Sequence, residues 1–64
     1  MNKYIINTQL GFVLVEAETA KKALINYWTE EITLDNLFLD REDLEKKGYK
    51  NLTSTNQDKI YKIK

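Results

Sequence analysis

The segment Gly11–Ala17 (Gly-Phe-Val-Leu-Val-Glu-Ala) carries apolar side chains at successive positions, and this constrains the fold more than any other feature. Side chains alternate along a strand, so Val13, Val15 and Ala17 point one way and Phe12 and Leu14 the other. The preceding run Lys3–Thr8 (Lys-Tyr-Ile-Ile-Asn-Thr) is rich in β-formers and behaves alike, with Tyr4 and Ile6 on one face and Ile5 on the other. Gln9-Leu10-Gly11 is a short connection whose glycine can take positive φ, so the two runs read as an antiparallel hairpin. A hairpin that is apolar on both sides needs cover on both sides.

One cover is explicit in the sequence. Thr19 reads as an N-cap, with Glu18 beside it to complement the helix dipole. Ala20, Ala23, Leu24, Tyr27 and Trp28 then recur at helical spacing as one apolar stripe, with Lys21, Lys22 and Asn26 on the other side. This predicts the main helix over about 19–29. The second face must be covered by the Ile32–Leu44 segment, by a C-terminal hairpin or by another chain. Asp40 reads as an N-cap with Asp43 three residues on, Leu44 faces inward, Lys46 and Lys47 suit the C-terminal end, and Gly48 stands at C′. A second short helix is therefore expected over 41–47. Tyr49–Thr53 and Lys59–Ile63 read as strands around the polar turn Ser54–Asp58. Residues 30–39 fit a short strand or an irregular loop equally well: Ile32 and Leu34 alternate with polar neighbours, and Leu37-Phe38-Leu39 is a compact apolar run. The fold class is α+β in a single domain, 1–64: a small antiparallel sheet of two hairpins, one main helix and a second short one.

The chain has 64 residues and no cysteine or histidine. Chains of this size bury only about 60% of their unfolded surface. Disulfides and structural zinc are excluded by the missing ligands, which leaves oligomerisation as the available staple. Either the second half of the chain covers the outer hairpin face, or a second copy does, through a face drawn from Tyr4, Ile6, Phe12 and Leu14. Ten basic and ten acidic residues cancel, but they segregate. Glu16–Glu45 carries a balance of −6 and Lys46–Lys64 one of +5. The longest apolar run is Phe12–Val15, so no membrane association is expected, and without a signal-like N-terminus the expected location is the cytoplasm.

Catalysis, a metal site and a cofactor are not expected. Glu30 and Glu31 are adjacent and diverge on regular structure, capping explains Asp40 and Asp43, and Asp35, Asp40 and Asp43 lack calcium-loop spacing. A protein-binding surface is the leading expectation, with Trp28 and Phe38 as aromatic anchors among Glu30, Glu31, Asp35 and Asp40. The alternative is a nucleic-acid-binding accessory protein, in which Lys46, Lys47 and Lys50 flank Tyr49, and Lys59, Lys62 and Lys64 flank Tyr61. A third reading is a structural homo-oligomer. The hairpin before a Thr-capped helix, and the later helix closing at Lys46-Lys47-Gly48-Tyr49, resemble small proteins of low-GC phages. The two-sided apolar hairpin, the charge polarity and the missing chemistry together make an inhibitor or modulator of a host or defence complex the specific form expected of a protein-binding module.

Overall fold

A computed structural model describes residues 1–64. Strands β1 (Asn2–Thr8) and β2 (Gly11–Ala17) form the first hairpin, with Tyr4 opposite Val15 and Ile6 opposite Val13. Helix α1 (Ala20–Trp28), a 3-10 turn (Leu34–Asn36) and helix α2 (Arg41–Lys46) follow, then β3 (Leu52–Ser54) and β4 (Ile60–Ile63). The final strand returns to pair antiparallel with β1, giving the sheet order β2-β1-β4-β3. The two expected hairpins thus become one four-stranded antiparallel sheet, and β1 lies inside it with strands on both flanks.

The sheet has two apolar faces, and each is covered from within the chain. On the first, Tyr4, Ile6, Val13, Val15, Ala17 and Ile60 pack against Ala20 and Ala23 of α1. The Thr19 hydroxyl accepts from the Lys22 N–H at 3.1 Å and fixes where that helix begins. On the second, Ile5 and Leu14 pack against Leu39 and Leu44, with Phe12, Tyr49 and Ile63 around them. Leu39 is held by main-chain bonds to β2: its N–H donates to the Phe12 carbonyl at 2.7 Å and its carbonyl accepts from the Phe12 N–H at 2.8 Å. The Leu37–Leu39 run therefore pairs at one residue only.

Helix α2 delivers Leu44. A reciprocal box starts it, with the Asp43 N–H donating to Asp40 Oδ1 at 2.7 Å and the Asp40 N–H donating to Asp43 Oδ2 at 3.1 Å. Its end is a Schellman closure: Gly48, at φ 81°, donates to the Glu45 carbonyl, and Tyr49 donates to the Leu44 carbonyl. Because Tyr49 belongs to this closure, the strand expected from Tyr49 starts only at Leu52. Lys59 has φ 63° in the turn, so the last strand begins at Ile60.

The four residues expected on a shared dimer face lie on two faces. Tyr4 and Ile6 are buried beneath α1, whereas Leu14 is buried and Phe12 half-buried on the opposite side. Strand alternation separates them, so no one surface carries all four.

Helix α1 also ends in a Schellman closure, with Glu30 donating to the Tyr27 carbonyl at 3.2 Å and Glu31 to the Asn26 carbonyl at 3.0 Å. Here the C′ position, with φ 58°, is a glutamate instead of a glycine. A side chain in the left-handed region is strained by about 1–2 kcal/mol, partly offset by the extra unfolded-state freedom of glycine. Glu30→Gly is expected to stabilise the fold by about 0.5–1 kcal/mol, read as a higher urea midpoint. A lower midpoint would show that the Glu30 side chain itself supports the fold.

Candidate protein-binding surface

The apolar stripe of α1 is narrower than its residue types suggest. At about 100° per residue, Ala20, Ala23, Leu24 and Tyr27 cluster round one direction, and Trp28 stands about 90° from it. The ring accordingly misses the core and is 69% exposed. The segment after the helix brings further apolar side chains to the same place. Leu34, on the 3-10 turn, is 86% exposed, and Phe38 is 46% exposed. With Tyr27, Ile32 and Leu37, which are half-buried, and with Glu30, they line a hollow of about 570 Å³. Its floor belongs to the core, since Tyr27, Ile32 and Leu37 pack against the first apolar cluster. Soluble chains seldom leave such a patch open without use.

Two features set this surface apart from an ordinary loop. The first is charge. Between Lys22 and Arg41 the chain has four acids (Glu30, Glu31, Asp35 and Asp40) and no lysine or arginine. The one ion pair of the molecule, Lys46 Nζ to Glu42 Oε1 at 3.5 Å, lies on α2. The second is backbone strain. Glu30 and Phe38 are non-glycine residues with φ 58° and 53°, and they bracket the segment that shapes the hollow. Strained residues of this kind persist where surrounding contacts over-determine them, and they gather at sites of function. The Phe38 conformation is enforced by the Leu39–Phe12 pairing on one side and by Gly11 packed against its backbone.

Of the residues singled out in the sequence, Trp28, Glu30 and Phe38 line this hollow together. Asp35 sits beside Leu34 in the 3-10 turn and is exposed. Glu31 turns to two adjoining depressions, one shared with Glu16, Lys22 and Asn26, the other with Leu14, Ile32 and Asn36. Asp40 is committed to capping α2. Tyr27, Ile32, Leu34 and Leu37 were not foreseen as part of the surface. A partial signal was present: five apolar residues (Ile32, Leu34, Leu37, Phe38 and Leu39) in a stretch without one sustained period do not all face one core.

The lysines of the nucleic-acid alternative are dispersed. A second hollow of about 490 Å³, between α2 and the outer sheet face, holds Tyr49 and Tyr61 together with Phe12, Arg41, Glu45 and Lys50. Lys62, paired with Tyr4 and Thr53, shares their side of the sheet and points away from that hollow. Lys46 pairs with Glu42, Lys47 caps α2, Lys59 occupies the turn, and Lys64 closes against Asn51. Tyr49 is held by Lys3, whose Nζ lies 3.2 Å from the phenol oxygen and 5.3 Å from the ring centroid. No helix is long and apolar enough to cross a membrane. Compared with known protein families, characterised proteins and solved structures, the chain matches none.

Proposed function

We propose that the chain is a protein-binding module that works through the hollow of Trp28, Leu34 and Phe38. The observation that carries this reading is their joint exposure around a concave apolar floor, on a fold whose two sheet faces are otherwise covered from within. Aromatic anchors in a polar rim are the usual centres of protein interfaces. Size permits it: a standard interface takes about 800 Å² from each partner, and the chain exposes 4721 Å². An inhibitor or modulator of a larger complex is the specific form of this reading, since occupying a partner's surface needs no chemistry. The second hollow supports a nucleic-acid role less well, because only Lys50 of the six candidate lysines lines it and Glu45 shares its wall.

A photoreactive amino acid placed at position 28 or 34, in the cell that produces the protein, tests the reading. Both positions are expected to couple to one and the same protein, and position 53, on the exposed β3 strand, to leave it unlabelled. Absence of coupling at 28 and 34, or equal labelling from 53, would remove the interaction reading.

A further inference from the structure

The partner's chemistry follows from what surrounds the hollow. We infer that its occupant is a basic amphipathic segment of the partner protein, one that seats apolar side chains between Trp28, Leu34 and Phe38 and sets lysines or arginines against Glu30 in the hollow and against Glu31 and Asp35 in the same acidic stretch. The inference rests on the protein-binding reading above and narrows it to one class of partner.

Charge complementarity decides among the occupants. Glu30 lines the hollow, Asp35 follows Leu34 of its wall in the chain, and Glu31 follows Glu30 but faces the adjoining depressions; none is in an ion pair, and no basic residue interrupts the stretch that builds the hollow. A second copy docked face to face would bring Glu30 and the acidic stretch around it from each chain together, and like charges placed across an interface oppose association. Nucleic acid and anionic lipid meet the same repulsion. A neutral apolar segment fills the floor but strips water from the carboxylates without replacing it. Lysine and arginine avoid that penalty, because their aliphatic stems lie along apolar surface while their charged heads reach outward. The floor supplies the contact area, and the rim supplies orientation and speed of encounter.

The charge-reversed double variant Glu31→Lys/Asp35→Lys, carrying the photoreactive residue at position 28, tests the inference. Both acids are exposed and outside any ion pair, so the fold is expected to survive, with circular dichroism as the check. Sequencing the coupled partner peptide is expected to show lysines or arginines beside apolar residues at the point of attachment. Reversal is expected to lower coupling roughly tenfold or more, with Glu31→Gln/Asp35→Asn intermediate, and coupling of the unmodified rim is expected to fall as salt is raised. Three results would overturn it: a coupled segment without basic residues, coupling to a second copy of this chain, or a yield unchanged within about twofold by reversal and by salt. These leave the module reading standing, whereas loss of all coupling at 28 and 34 in the parent protein removes both.

Discussion

Gly11→Ala is expected to abolish cooperative folding or to lower stability by about 3–5 kcal/mol. Two causes add. Gly11 has φ 140°, a conformation side chains rarely adopt. A Cβ there would also stand 2.9 Å from the Phe38 carbonyl carbon and 3.0 Å from the Leu39 carbonyl oxygen. Both are main-chain atoms, held by the paired hydrogen bonds between Leu39 and Phe12, so neither can swing aside. The expected loss is comparable with the whole stability of a 64-residue domain, about 3–10 kcal/mol. Gly48→Ala is the internal control: φ is 81° there, but nothing lies within 4 Å of the added Cβ. That variant is expected to lose only about 1 kcal/mol. Urea unfolding followed by circular dichroism compares the two, and equal losses would mean that the approach of residues 38–39 to Gly11 contributes nothing.

Leu44→Ala is expected to lower stability by about 2–5 kcal/mol and to release α2 from the sheet. Leu44 is the one buried residue of that helix, and with Leu39 it covers Ile5 and Leu14. The helix has six residues, too few to persist without tertiary contact. Its departure would open the second apolar face, so the variant is expected to bind a hydrophobic dye and to associate at concentrations where the parent does not. Leu10→Ala, at the exposed hairpin turn, is expected to do neither. A Leu44→Ala protein of parental stability and no dye binding would show that α2 is not the cover of that face.

The parts of the fold that follow from local periodicity were legible in the sequence. The alternation in Gly11–Ala17, the Thr19 cap and the Asp40–Asp43 box each name their element, because each depends on residues within one turn or one strand of one another. What joins the elements is non-local. Nothing near Ile60 in the chain announces that it pairs with Ile6 and so places β1 inside the sheet. The choice of cover for the outer face was likewise open, since it turns on Leu39 bonding to β2 across twenty-six residues of intervening sequence. Residues 30–39 lacked a sustained period because the only regular pieces among them are a single 3-10 turn and a one-residue bridge. Their course is set by Glu30 and Phe38 in the left-handed region, which sequence patterns assign to glycine or asparagine. The surface was half legible: Trp28 and Phe38 stood out as aromatics, while Leu34, more exposed than either, carried no mark to tell a surface leucine from a buried one.

Urea unfolding of the Trp28→Ser/Leu34→Ser double variant, followed by circular dichroism, bears most directly on whether the fold keeps these large apolar side chains outside its core for a partner. Stability within about 0.5–1 kcal/mol of the parent is expected, as for substitutions at exposed positions. A loss of about 3–5 kcal/mol, the range for truncating buried aromatic or aliphatic side chains, would place Trp28 and Leu34 in the core and leave the hollow without a claim to be a binding surface.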